Sequence, residues 1–200
     1  SGGAARTVAA VLAEQGCGRV FIISRSGEEN YQHLARHHDA ALIVNATPVG
    51  MYPNHGVSPL DLSRFDRLEL ALDLIYNPAR TEFLFQAEEL GVAHANGLMM
   101  LAAQAKAASE LFQDCRIEER RVAGIAERLR RQMMNVALIG MPGSGKSTVG
   151  RRLAELCHRP FYDTDEMIVA EAGRPIAEIF AKEGEAAFRA LESAALAKVS

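Results

Sequence analysis

Two rhythms of apolar residues replace one another along this chain. Thr7 to Gln15 carries them at helical spacing and stops at Gly16; Arg19-Val20-Phe21-Ile22-Ile23 is then a short β-branched run suited to a buried strand. Tyr31 to His38 reads as a helix, Ala41-Leu42-Ile43-Val44 as a second buried strand and Leu70-Ala71-Leu72-Asp73-Leu74-Ile75 as a third. Thr81 to Leu90 opens on an N-capping threonine and ends at Gly91, and Leu98 to Phe112 is a long apolar-rich helix. Strands alternating with helices predict a parallel sheet with helices on its faces.

The pattern changes between Gln113 and Met134, where six arginines and four acids crowd a stretch without proline. Ile117, Val122, Ile125 and Leu129 mark one apolar stripe, and Glu127 can pair with Arg131 one turn on. A solvated helical connector docked by that stripe fits this pattern; a nucleic-acid-binding helix fits less well, because acids are interspersed. Beyond it Asn135-Val136-Ala137-Leu138-Ile139 predicts a strand, Thr148 to Leu156 an amphipathic helix and Pro160-Phe161-Tyr162 another strand-like run. Helices are expected over Glu166 to Ala172, over Ile176 to Lys182 and from Glu185 onward, with Gly173 and Gly184 as stops.

Composition narrows the classes. Two hundred residues, 48% of them apolar, suffice for one large domain or two small ones. A formal charge of −3 argues against a general nucleic-acid binder. Cys17, Cys115 and Cys157 lie far apart and never in C-x-x-C spacing, which excludes a zinc knot, argues against a disulfide framework and points to a reducing cytoplasm. No apolar run approaches a membrane span, and the start lacks a signal-peptide layout. Histidines 37 and 38 fall at an expected exposed helix end and read as lone surface residues, as do the other four.

The sharpest chemistry lies in Gly140-Met141-Pro142-Gly143-Ser144-Gly145-Lys146-Ser147-Thr148. It fits G-x-x-x-x-G-K-[ST] between an expected strand and an expected helix, the context that separates a phosphate cradle from an ordinary glycine-rich turn. Glycines let backbone N–H groups converge on a phosphate, Lys146 brings a cation, Ser147 offers a hydroxyl to Mg²⁺, and the helix points its positive end at the anion. Asp163 and Asp165 follow on what reads as an extended tip, where two-residue spacing lets both face one way. They fit a metal- and substrate-handling pair, or a plain acidic turn; spacing alone leaves both open.

The string from Asn135 to Leu196 resembles the shikimate kinase family. The likeness runs through Leu138 to Gly150, through Phe161-Tyr162-Asp163-Thr164-Asp165, through Gly173-Arg174-Pro175-Ile176-Ala177-Glu178-Ile179-Phe180, and through Gly184-Glu185-Ala186-Ala187-Phe188-Arg189-Ala190-Leu191-Glu192. It implies that Gly143, Ser144, Gly145, Lys146, Ser147 and Thr148 bind ATP, and that Ser147 and Asp163 serve Mg²⁺. By the same likeness Asp165 and Arg189 grip shikimate, Phe180 and Phe188 wall its ring, and Lys146 and Asp165 act in catalysis. An arginine fork matches a planar carboxylate bidentately. The implied reaction moves the γ-phosphoryl of ATP to the 3-hydroxyl of shikimate by positioning and charge neutralisation.

Three earlier motifs, Asn45-Ala46-Thr47-Pro48-Val49-Gly50-Met51-Tyr52-Pro53, Asp73-Leu74-Ile75-Tyr76-Asn77-Pro78 and Asn96-Gly97-Leu98-Met99-Met100-Leu101-Ala102-Ala103-Gln104, form a second set. The first reads as a rigid turn at the carboxyl end of a parallel strand, either a ligand site or simply a structural turn. Together they resemble the cofactor domain of shikimate dehydrogenase, with Ser1-Gly2-Gly3-Ala4-Ala5-Arg6 similar to the tail of its glycine-rich dinucleotide turn. This likeness implies NADP contacts from Gly2, Gly3, Ala4, Arg25, Leu74 and Gly97, and shikimate contacts from Tyr76 and Gln104. Arg25 stands where that family clasps the 2′-phosphate of NADP, although Ser24 and Ser26 replace its usual Asn and Thr.

The expected fold class is α/β: a Rossmann-like NADP-binding domain over 1–112, a helical linker over 113–133, and the N-terminal part of a P-loop, adenylate-kinase-like domain over 134–200. The two domains, not the linker, are each expected to be a truncated three-layer module with a parallel sheet. The two likenesses imply a shikimate-pathway fusion using ATP, Mg²⁺ and NADP on shikimate and 3-dehydroshikimate, with neither nucleic acid nor membrane as partner. Both families carry further parts, a substrate domain in one and a lid with a catalytic arginine in the other. The 200-residue piece is therefore expected to be nearly inactive alone. A non-catalytic nucleotide-binding remnant and a P-loop kinase of another small metabolite are the alternatives.

Overall fold

Three short strands, β1 (Leu42–Asn45), β2 (Leu70–Asp73) and β3 (Ala93–Ala95), pair in that order and all in parallel in the computed structural model, which describes residues 2–199. Leu42 lies opposite Leu70, and Leu70 opposite Ala93, so the carboxyl ends of the strands line up. The sheet belongs to the first of two compact units, Ser1–Met134 and Asn135–Ser200.

Within the first unit α1 (Gly3–Glu14) precedes a largely irregular stretch, and Tyr31–His37 winds as a 3-10 helix where an α-helix was expected. Asn30 caps its start by accepting from the Gln32 N–H at 2.9 Å. Helix α2 (Glu82–Glu89) lies against the sheet, capped by the Thr81 hydroxyl, which accepts from Leu84 N–H. Phe83, Leu84 and Ala87 from this helix bury with Ala71 of β2 and with Leu62. Strand β3 is only three residues long and exposed, too short for a periodic signal.

Helix α3 (Leu98–Gln113) packs on α4 (Glu119–Met133) through Leu98, Ala102, Val122 and Ala126, so the arginine-rich segment lies in the first unit. Val122 and Leu129 of the expected stripe face this contact, whereas Ile125 is 37% exposed and Ala126 is buried in its stead. On the outer face Glu127 accepts from both Arg130 and Arg131, and the two guanidinium groups hold its carboxyl down to about 2.

The second unit consists of α5 (Lys146–Cys157), α6 (Thr164–Ala172) and α7 (Ile176–Ala197). Gly184, at φ 79°, interrupts α7 where the sequence predicts a stop. Ile168, Ile179, Phe188 and Ala195 form its core, flanked by Met167, Ala172, Ile176 and Leu191. No strand forms among its described residues, contrary to the expected second sheet. Asn135–Ile139 and Pro160–Tyr162 are strand-like in sequence but unladdered, and Ile139 is 93% exposed. Arg19–Ile23 behaves likewise in the first unit. A β-branched or aromatic run favours strand only where a neighbouring strand takes its backbone N–H and C=O groups, and among the described residues none of these three runs pairs with a strand.

Candidate nucleotide sites

In the second unit the glycine-rich loop runs straight into α5. Gly143 and Gly145 take φ values of 74° and 85°, the left-handed region that favours glycine, and Gly145 caps the helix. Lys146 folds back over this loop, its Nζ donating to the carbonyls of Gly140 and Met141 at 2.8 Å each. Ser144 N–H donates to the Met141 carbonyl, closing the turn. Gly143, Ser144 and Thr148 are exposed around it.

Ser147, one residue on, donates its hydroxyl proton to Asp163 Oδ2 at 2.7 Å. That bond, with N–H bonds from Asp165 and Glu166 and the positive charge of Arg151, holds the Asp163 carboxyl below the usual range against a smaller effect of burial. Asp163 and Asp165 do not sit on an extended tip as expected. Asp163 is the N-cap of α6, accepting from Asp165 N–H at 3.1 Å, and Asp165 lies exposed in the first helical turn. The short polar side chain of Asp163 satisfies an orphan helix donor, so helix starts where strand was expected.

On α7 the Phe180 and Phe188 rings meet at 4.7 Å between centroids, and the Arg189 guanidinium lies 5.8 Å from the Phe188 centroid. Arg189 is shared between Glu192, at 2.8 Å, and Glu185, at 3.3 Å. The two carboxylates raise its already high pKa. The structure therefore joins Ser147 to Asp163 and groups Phe180 with Phe188 and Arg189.

In the first unit the aligned strand ends carry a buried polar knot. Asp73, 1% exposed, accepts from Asn45 Nδ2 at 3.1 Å and Ile75 N–H at 3.0 Å through Oδ1, and from the Thr81 hydroxyl at 2.6 Å through Oδ2. Asn45 Oδ1 in turn accepts from the N–H and hydroxyl of Thr47. Burial pushes the Asp73 carboxyl up, and the three hydrogen bonds only partly oppose it. This knot ties β1, β2 and the start of α2 together. Sequence reasoning left Asn45, Asp73 and Thr81 out of the site set, although an aspartate inside an apolar strand is itself a signal that it has partners.

Just beyond the knot, Gly97 presses on Leu74: a Cβ at Gly97 would lie 2.1 Å from the Leu74 carbonyl oxygen. Both positions predicted to flank a nicotinamide thus share one wall. Tyr76 follows β2 and is 39% exposed, and Gln104 is exposed on α3. Gly2, Gly3 and Ala4 form the start of α1, with Gly2 as its N-cap; Ser1 of that opening run lies outside the described residues. Arg25 is exposed in a tight turn. His37 departs from the expected lone surface residue: its side chain is 12% exposed and its Nε2 lies 3.1 Å from Glu29 Oε2. A 3-10 helix turns that face inward, which a count based on 3.6 residues per turn does not anticipate.

The match to the shikimate kinase family model covers residues 142–200. A shikimate kinase of Symbiobacterium thermophilum is 52% identical over 67 residues, 34% of this chain and 38% of that protein. On the other side, a shikimate dehydrogenase (NADP(+)) of Crocosphaera subtropica is 35% identical over 136 residues, 56% of this chain and 47% of that protein. A chorismate mutase/shikimate 5-dehydrogenase fusion protein from Clostridium acetobutylicum superposes with a TM-score of 0.63 at 38% identity, covering 66% of this chain and 53% of that one. The chain joins a shikimate dehydrogenase-like region to a shikimate kinase-like region. It spans about half or less of the length of these relatives. The α/β class follows from the parallel sheet and from these likenesses. No helix among the described residues is long and apolar enough to cross a membrane.

Proposed function

We propose that this chain is part of a bifunctional shikimate-pathway enzyme. One region serves NADP-dependent reduction of 3-dehydroshikimate to shikimate, and the other serves phosphorylation of shikimate by ATP. In this reading 1–112 is the NADP-binding region, 113–133 a connector packed back on it, and 134–200 the start of the kinase region. The single observation that carries it is the pairing, in one chain, of a Lys146–Ser147–Asp163 phosphate loop with the Leu74–Gly97 wall above the Asp73 knot.

The residues present suit the groups. Ser147 and Asp163 place two oxygen donors 2.7 Å apart, the hard ligand type that Mg²⁺ takes. Lys146 exchanges the loop carbonyls for phosphate oxygens, and the N-terminus of α5 adds its dipole. Asp165 accepts a hydrogen bond from a shikimate hydroxyl. Arg189 exchanges Glu185 or Glu192 for the substrate carboxylate, and Phe180 and Phe188 exclude water from the ring. In the other region Gly97 lies so close against the Leu74 backbone that no Cβ fits there; Tyr76 and Gln104 would contact the substrate, and Gly2, Gly3 and Ala4 the pyrophosphate. When bound, ATP supplies the phosphoryl group and NADP the hydride.

Titration of the chain with MgATP and with NADP tests this. Two independent sites are expected: Lys146→Ala abolishes ATP binding and leaves NADP binding intact, and Arg189→Ala weakens shikimate binding only. Competition between the two nucleotides for one site would overturn the reading.

A further inference from the structure

The apolar core of the second unit is built by α6 and α7, through Ile168, Ile179, Phe188 and Ala195. Helix α5, which carries Lys146 and Ser147, contributes none of those side chains. The placement of α5 against the start of α6 is therefore left to a few contacts outside that core. The Ser147–Asp163 hydrogen bond lies across this junction.

Arg151 spans the same junction from one turn further along α5. Its guanidinium donates to the Glu166 carboxylate in the first turn of α6 and lies 5.0 Å from the centroid of the Phe161 ring. Phe161 precedes Asp163 by two residues and Glu166 follows it by three, so one side chain grips the chain on both sides of Asp163. The Phe161 ring is seated on Gly150, where a Cβ would lie 2.3 Å from Phe161 Cε2. Glu166 N–H also donates to Asp163, which ties the gripped residue to that carboxylate, and the Arg151 charge is felt there too. Arg152, by contrast, pairs with Glu155 inside α5.

We propose that Arg151 is a positioning residue for the cation site: by holding Phe161 and Glu166 it fixes the Asp163 carboxylate against the Ser147 hydroxyl, so that the two oxygens meet a divalent cation as a preformed pair. This rests on the reading of Ser147 and Asp163 as Mg²⁺ donors. Position and charge pull in opposite directions here. A guanidinium beside a cation site repels the cation, so by Coulomb's law alone its removal tightens Mg²⁺ binding. Loss of the grip weakens it, because Asp163 must then be ordered as the metal binds. An exposed ion pair adds little to stability, so the effect belongs to binding rather than to folding.

The test measures dissociation constants of the intact chain for ATP with excess Mg²⁺ and for ATP in EDTA, and takes their ratio as the metal-dependent gain. Arg151→Gln should cut that gain about threefold, the scale of an exposed ion pair, and leave ATP in EDTA nearly unchanged, since Lys146 and its loop are untouched. Arg151→Lys keeps the charge without the planar fork and should fall between the variant and the parent. In the metal-free chain, NOEs between the Phe161 ring and Gly150 Hα should weaken in Arg151→Gln. Should that variant fold poorly, Glu166→Gln at an exposed position gives the same NOE readout. A gain that rises or stays unchanged in Arg151→Gln, or equal losses with and without the metal, would overturn the proposal. Asp163→Asn separates the two levels. If it leaves the gain unchanged, the Mg²⁺ reading falls and the positioning role with it; if it abolishes the gain while Arg151→Gln does not reduce it, only the positioning role falls.

Discussion

Asp73, at the end of the central strand of the first unit, is 1% exposed and takes bonds from Asn45, Ile75 and Thr81, while Asp163, ahead of α6 in the second unit, is only half-buried and takes bonds from Ser147 and Asp165. The difference is one of purpose. Burial raises the Asp73 pKa, so its local structure is kept by the donors that the carboxylate satisfies, with its charge a burden. Hydrogen bonds to Asp163 favour its charged form, the state that meets a cation. One aspartate ties strand ends together, and the other is held in its charged form at a helix start.

That contrast is broken most directly by Asp73→Ala. Three donors lose their acceptor where water has little access, and unpaired buried donors cost about 1–3 kcal/mol each without strict additivity. We expect about 4 kcal/mol of lost stability in the first unit, read from urea unfolding through amide signals of α2. Amide signals of α6 should be unmoved. Loss below about 1 kcal/mol would show that the knot is an ornament of the fold.

Two glycines sharpen the same contrast between rigid and yielding surroundings. A methyl at Gly97 meets the Leu74 carbonyl at 2.1 Å, and backbone cannot step aside; Gly97→Ala should cost about 3 kcal/mol and weaken NADP at least tenfold. At Gly150, on buried α5 packing, a methyl would meet Phe161 Cε2 at 2.3 Å and Leu138 Cδ1 at 3.2 Å. These are side-chain atoms, and Phe161 is only half-buried, so Gly150→Ala should cost about 1 kcal/mol. Thermal melts of both variants rank them; a reversed order would mean that the Leu74 strand end is the softer element.

Much of this was legible beforehand, for reasons that differ by residue. Helices α2, α3 and α5 follow from apolar spacing, with Thr81 as a cap and Gly91 as a stop for α2, all local signals. The Lys146–Ser147 loop is local too, since its function resides in consecutive backbone groups. Val136 to Ile139 failed to become strand because a ladder depends on a distant partner that its own sequence does not encode. The Asp73 knot was missed for the same reason: Asn45 and Thr81 lie 28 and 8 residues away, and only folding brings them to one carboxylate. Asp165 moved from tip to helix because Asp163 caps, a choice between two local meanings of one residue.

The smallest effect separates the two aspartates most cleanly, because its sign differs between units. Asp163 has a folded pKa below its ordinary value of 3.8, so it contributes stability above about pH 4 that is lost as pH falls through the folded value. Asp73 has a folded pKa above 3.8, so its contribution is full below about pH 4 and is lost as pH rises through the raised value. Acidification from neutral pH should therefore relieve the first unit through Asp73 before it weakens the second through Asp163. Carboxyl carbon shifts followed by NMR read both titrations in one sample. Ser147→Ala removes the largest influence on Asp163 and should move only that titration upward, toward 3.8; Asp73→Asn should erase the other and leave Asp163 in place. If Ser147→Ala leaves the Asp163 midpoint where it was, the hydroxyl is not what keeps that carboxylate charged, and its pairing with Ser147 loses its claim as a cation site.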